Sequence, residues 1–238
     1  MYTEEFQIET GGEKLAATRI LAELGHQPQV LSFHGTGTAA NRKRIRYLLD
    51  YLASHGLSSI CFDFSGHGES SGKMEQATLT IRKNEARAAA RFLDGRVPPV
   101  LIGTSMGGYI ASLLAPEIRP RSLILFCPAA YSSELMELKF NDSFTAAVRR
   151  PGAYLNSPAF KALESYDGKL LIIAAGQDAI IPREVIRLYQ ESAPRAQTKI
   201  LWLGTSDHKI HLWLADHEIE RNSVLQEVLA TAAWAHEV

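Results

Sequence analysis

A chain of 238 residues with 46% hydrophobic and 21% charged side chains can bury one large α/β domain or two small ones. Its net charge of −1 gives no electrostatic basis for binding nucleic acid or an anionic membrane surface. No apolar run approaches the ~20 residues that a membrane-spanning helix needs, and the acidic start Met1-Tyr-Thr-Glu-Glu-Phe6 lacks a secretory signal's pattern.

Phe6–Glu9 and Lys14–Leu24 flank Thr10-Gly11-Gly12-Glu13 and predict an edge hairpin bent at Gly-Gly. Val30–Phe33 reads as a buried strand. Asn41 is a candidate N-cap for a helix whose Ile45, Leu48, Leu49 and Leu52 share one face, with Gly56 just past its end. The basic run Arg42-Lys-Arg-Ile-Arg46 is expected to be a solvated face of that helix. Ser59–Asp63 is the next strand, and a glycine-rich loop leads to a helix over Thr80–Leu93. Val97–Ile102 predicts a strand, and Met106–Ala115 a helix stopped by Pro116. Ser122–Cys127, Leu170–Ala175 and Lys199–Leu203 predict buried strands, with helices at Arg183–Ser192 and Asn222–Ala235. Apolar strands alternating with helices imply a mostly parallel sheet covered on both faces. Residues 129–167 break the alternation. Weak helical patches at Glu134–Phe140 and Phe144–Arg149, with Pro151 and Pro158, predict a small helical insertion over the sheet's C-terminal edge.

Chemistry concentrates around Leu101-Ile-Gly-Thr-Ser-Met-Gly-Gly108. Gly103-Thr-Ser-Met-Gly107 matches G-x-S-x-G between a strand and a helix, which would leave the Ser105 hydroxyl exposed on a tight corner. A merely close-packed glycine turn explains the same letters, so a base and an orienting acid must decide. Among the eight histidines, His26, His55 and His236 sit at element ends or the terminus. His34 and His67 lie in glycine loops. His208 follows a buried strand after Gly204-Thr-Ser-Asp207 and so stands at the same edge as Ser105; His211 and His217 read as packing or surface residues. A zinc site from His208 and His211 would need Asp207 or Asp216 and is disfavoured. Asp178 stands three residues past a strand end in Gly176-Gln-Asp178, one helix and one strand before His208. Asp207 is too close in sequence to face His208, and Asp63 precedes the serine. Oxyanion donors are expected at the N–H of Met106, on a helix N-terminus, and at Thr36 in His34-Gly35-Thr36-Gly37.

Together with Asp63-Phe-Ser-Gly-His-Gly-Glu-Ser70, these pieces resemble the α/β-hydrolase superfamily along nearly the whole chain. They look most like the compact branch that includes cinnamoyl and feruloyl esterases and monoacylglycerol lipases, although the oxyanion loop here carries an extra Gly-Thr step. The resemblance implies an eight-stranded sheet of order 1-2-4-3-5-6-7-8 in a single α/β-hydrolase domain over 1–238, with 129–167 as a small lid. It implies a carboxylesterase acting through Ser105, Asp178 and His208, with His34, Gly35, Asp63, His67, Gly103 and Gly107 in support. No cofactor or metal is called for. Tyr131, Leu135, Met136, Phe140 and Tyr154 would wall the pocket for a small-molecule ester, or would only pack the insertion. A thioesterase, amidase or peptidase with the same residues stays open, as does a catalytically silent ligand binder. Buried Cys61 and Cys127 on strands separated by two others imply no disulfide, consistent with a cytoplasmic enzyme; a homo-oligomer is left open.

Overall fold

The computed structural model describes residues 1–233, so His236 and the last two residues of the expected C-terminal helix lie outside the described residues. Eight strands form one sheet in the order β1-β2-β4-β3-β5-β6-β7-β8. β1 (Tyr2–Thr10) and β2 (Glu13–Leu21) make the edge hairpin, and Gly11 and Gly12 both take positive φ (60° and 83°) at its two-residue turn. β2 runs antiparallel to β4 (Ser59–Phe62). From there β3 (Val30–Phe33), β5 (Val100–Thr104), β6 (Ser122–Phe126), β7 (Lys169–Ala175) and β8 (Gln197–Leu203) are parallel.

Helices cover both faces. On one side pack α1 (Arg46–Ser54), α7 (Ile210–Asp216) and α8 (Glu218–Ala232), through Leu48, Leu52, Leu214 and Val228. On the other pack α2 (Leu79–Ala90), α3 (Met106–Ile118) and α6 (Arg183–Glu191), through Ala86, Tyr109, Ile110 and Tyr189. Residues 129–167 hold a 3-10 turn at Ser133–Leu135, α4 (Asp142–Val148) and α5 (Pro158–Leu163), between β6 and β7. Among the described residues, no helix is long and apolar enough to cross a membrane.

Several expectations need correction. α3 passes through Pro116 and ends at Ile118, with Arg119 left-handed at its cap (φ 51°). The proline falls in the last turn, where it costs one hydrogen bond without breaking the helix. β5 begins only at Val100, since Pro98 and Pro99 have no N–H for the ladder. β8 is the sheet edge, so its side chains alternate between covered and open, and Trp202 is 40% exposed. The helix expected over Glu134–Phe140 reduces to the short 3-10 turn. α5, by contrast, starts at Pro158: proline at a first helical position loses nothing.

The largest correction concerns the basic run. Asn41 caps a 3-10 turn over Arg42–Ile45 that leads into α1, and Arg42 is only 3% exposed. Its guanidinium meets the buried Asp63 carboxylate and those of Glu5 and Glu69, and its Nε donates to Thr18 Oγ1 at 2.9 Å. Its backbone N–H donates to Asp63 Oδ1 at 2.6 Å. One side chain thus ties β1, β2, the end of β4 and the loop after it. Removing one member of a buried ion pair strands the other, at a cost of about 3–5 kcal/mol. Arg42→Met is therefore expected to lower the unfolding free energy by that much in urea melts; a loss under ~1 kcal/mol, the size of an exposed pair, would contradict this role.

Candidate active site

Ser105 stands alone between β5 and α3 with φ 53° and ψ −116°. A non-glycine residue there carries strain of about 1–3 kcal/mol, which its surroundings must impose. Its N–H donates to Phe126 O at 2.8 Å, and its carbonyl accepts from Gly108 N (2.9 Å) and Ala129 N (3.0 Å). Three backbones crowd this corner. A Cβ on Gly103 would strike the carbonyl of Gly107, and one on Gly107 would strike the carbonyl of Phe33 at the end of β3. Glycine at both places is what lets the strand, the helix and the neighbouring strand approach so closely.

The partners arrive from β7 and β8. Gly176 has no room for a Cβ against Gly204, and Gln177 N donates to Ser206 O at 2.9 Å, so the loops after these strands lie side by side. Across them His208 Nδ1 meets Asp178 Oδ2 at 2.8 Å, and His208 Nε2 lies 3.1 Å from Ser105 Oγ. Asp178 spends its other oxygen on the N–H groups of Ile180 (2.8 Å) and Ile181 (2.9 Å). Burial opposes ionisation of this carboxyl. The His208 contact and the two backbone donors outweigh it and hold the group below the usual carboxylate range. Asp207 turns to its own loop, accepting from Lys209 N at 2.9 Å.

The expected oxyanion elements share this edge. Met106 opens α3, directing the positive end of its dipole at the corner. Gly35 approaches so closely that a Cβ there would lie 3.2 Å from Ser105 Cβ, and Thr36 follows it, exposed. His34 braces the loop, with Nδ1 on Gly35 O (2.6 Å) and Nε2 accepting from Phe64 N (3.0 Å). Burial, then the adjacent His67 and Arg82, push its pKa down to about 3, so its ring stays neutral. The His67 ring lies 5.0 Å from that of His34, with Nδ1 on Ser65 O. Asp63 pairs with the Arg42 guanidinium, and the carboxylate on His208 is that of Asp178.

Of the residues expected to wall a pocket, Tyr131, Leu135 and Phe140 are buried in the core shared with Tyr109. Met136 accepts a contact from Tyr109 Oη at 3.0 Å through its sulfur, and Tyr154 Oη donates to Glu184 at 2.6 Å, tying the insertion to α6.

Three groups have contacts that the sequence reading did not name. His211 is a packing residue, one of its two expected roles: its Nε2 meets Thr104 Oγ1 at 2.7 Å, its Nδ1 meets Tyr47 Oη at 3.1 Å, and its ring packs on Phe126. It therefore braces the residue just before Ser105 and is turned away from any site shared with His208. Burial, more than the nearby Arg44, lowers its pKa to about 3 and keeps it neutral. Arg82 is fully buried, paired with Glu85 at 2.8 Å and bonded to Ser65 Oγ and O. Its signal was the polar i,i+3 pair on the face of α2 that also carries Ala86 and Ala89. Cys127, just past β6, has φ 43° and lies beside Asp178.

Strand order, corner geometry and the loops at the sheet's C-terminal edge make this chain an α/β-hydrolase. The model of the family described as "Serine aminopeptidase, S33" matches residues 25–155, more than half of the chain, and the protein belongs to that family. An uncharacterized protein of Mycobacterium tuberculosis is 30% identical over 199 residues, covering 78% of this chain and 66% of the relative. The mitochondrial palmitoyl-protein thioesterase ABHD10 of Homo sapiens is 30% identical over 118 residues, 49% of this chain and 38% of the relative. This chain therefore spans two thirds or less of the length of these curated relatives. Among solved structures, the ferulic acid complex of Est1E from Butyrivibrio proteoclasticus superposes with a TM-score of 0.72 at 22% identity, covering 95% of this chain and 98% of that one. A thioesterase domain from the curacin biosynthetic pathway gives 0.69 at 16% identity, covering 95% and 100%. These two likenesses carry the fold.

The depressed pKa of Asp178 predicts a pH signature. A carboxylate held below its unfolded value of about 3.9 stabilises the fold fully above that pH, and the contribution vanishes as pH falls through the folded value. Urea melts from pH 6 to 2 are expected to show wild type more stable than Asp178→Asn near neutrality, with the gap closing below about pH 4. A gap that stays constant would mean that the carboxylate is not ion-stabilised.

Proposed function

We propose that this protein hydrolyses a small carboxylic ester through an acyl-enzyme, with Ser105 as nucleophile, His208 as base and Asp178 as orienting acid. The observation that carries the reading is the unbroken contact line from Ser105 Oγ through both nitrogens of His208 to Asp178, at 3.1 and 2.8 Å. Asp178 keeps the imidazole proton on Nδ1, which leaves Nε2 free to accept the serine proton. Oγ then bonds to the ester carbonyl carbon. The N–H groups of Met106 and Thr36 take the oxyanion, and the alcohol leaves with the proton carried by Nε2. Water repeats the sequence and releases the acid. In this reading the chain works as one domain, and residues 129–167 serve as a lid, with Tyr131, Leu135, Met136, Phe140 and Tyr154 setting its inner wall.

A thioester substrate is the second reading. It is favoured by the similarity to the human palmitoyl-protein thioesterase, and it needs the same residues and a better leaving group. The family description names an aminopeptidase, so an amide belongs in the same comparison.

Turnover of p-nitrophenyl esters, acyl thioesters and aminoacyl anilides by one preparation tests the order of preference. Esters are expected first; an anilide turned over faster than both would replace the reading with a peptidase. Ser105→Ala should abolish turnover and labelling by a fluorophosphonate while leaving the thermal melt cooperative. Retained labelling would remove Ser105 from its role. Asp178→Asn is expected to lower kcat by roughly 10³–10⁴-fold, because the wrong tautomer is then favoured. Wild-type rates in that variant would assign the orienting role to another acid.

A further inference from the structure

Cys127 has no part in the reaction above, yet its place is unusual. It follows β6 at φ 43°, a left-handed conformation that a cysteine adopts only under constraint, and its N–H is pinned to Ile173 O at 2.9 Å. The bend brings Sγ toward Asp178 and His208. Among the described residues this is the one group of three metal-ligating side chains: a thiol, a carboxylate oxygen and an imidazole nitrogen, all within 4.8 Å of one another. The nitrogen that faces the carboxylate is Nδ1, 2.8 Å from Oδ2. Tetrahedral zinc, with ligand bonds of about 2.0–2.3 Å, needs its donors roughly 3.3–3.6 Å apart. Small side-chain shifts would meet that requirement. Sulfur, nitrogen and one carboxylate suit zinc and cobalt, whereas magnesium and calcium take oxygen. His208, with 22% of its side chain exposed, is the solvent-facing member of the three.

We infer that Cys127, Asp178 and His208 form an inhibitory site for a zinc-like divalent cation, which shuts off hydrolysis by seizing the orienting side of the base. On binding, the S–H bond breaks, its proton leaves to solvent, and sulfur bonds to the metal. The metal takes the place of the Nδ1 proton, and the neutral imidazole then carries its proton on Nε2. That nitrogen now donates towards Ser105 and can no longer accept its proton. No oxidant or reductant is involved. The shut-off rests on the proposed role of His208; the site itself does not.

The test uses the purified chain with Zn²⁺ for rate and Co²⁺ for spectroscopy. One Co²⁺ per chain should give a thiolate-to-cobalt charge-transfer band, present in Ser105→Ala and absent in both Cys127→Ser and Cys127→Ala. Zn²⁺ should abolish ester turnover in wild type. For each cysteine variant, measured against its own metal-free rate, the inhibiting concentration should rise at least tenfold. A missing band in wild type, or one that survives both cysteine substitutions, overturns the site whatever the activity. Equal Zn²⁺ sensitivity of wild type and both variants overturns the shut-off. A wild type with the cysteine-dependent band but no turnover of any ester or thioester keeps the metal site and rejects the serine-hydrolase reading instead.

Discussion

Everything at the sheet edge depends on one enforced backbone conformation, Ser105 at positive φ between β5 and α3. No single contact explains it. The chain must leave a parallel strand and enter a helix within one residue, while β3 presses from the side. Gly103 and Gly107 remove the side chains that would collide, and the carbonyl of Phe126 and the N–H of Ala129 clamp the serine from β6 and the segment after it. His211 holds the preceding Thr104 from the opposite face of the sheet. Strain of this kind persists only where the surroundings over-determine it, and here four elements do so.

Behind the corner, buried polar groups stiffen the loops that a simple apolar core could not hold. Arg42 and Asp63 join the edge hairpin to the glycine loop after β4, and Arg82 with Glu85 anchors Ser65 in that loop. His34 then connects that loop to Gly35 and Thr36, accepting from the Phe64 N–H and contacting the Gly35 carbonyl. Each link replaces water with a fixed partner, so the cost of burial is offset only while all partners remain. Two buried rings of this shell, His34 and His211, are kept neutral by desolvation and serve as hydrogen-bonding struts. His208 is the one of the three that keeps an open edge beside a serine.

The meeting of three distant side chains was the most legible part of the sequence. Ser105, His208 and Asp178 lie 103 and 30 positions apart along the chain and were found because each follows a strand end, and parallel strands deliver such ends to one rim. Sheet order was equally plain once the resemblance was made. What escaped was whatever depends on neighbours distant in sequence. Nothing local in Arg42-Lys-Arg tells that the first cation is enclosed by Asp63 and Glu5, because the enclosing residues come from two other elements. Nothing local to His211 tells packing from surface, because Thr104 and Tyr47, which settle it, come from two other elements. Pro116 is expected to stop α3 and does not, whereas Pro158 begins α5, since the effect of a proline turns on which turn of a helix it occupies. β8 looks buried by composition and is partly open, although the strand order that the resemblance implies already sets it at the edge.

The insertion's Tyr131 packs on Tyr109 of α3, and its Tyr154 reaches α6. The central claim is narrower: the hydroxyl on the strained corner takes the acyl group. Rapid quenching of the protein with p-nitrophenyl acetate, followed by intact mass and peptide mapping, reads this directly. One acetyl group per chain, located on Ser105 and accumulating as fast as the p-nitrophenol burst, is the predicted result. A burst with the acetyl group on any other residue would contradict it.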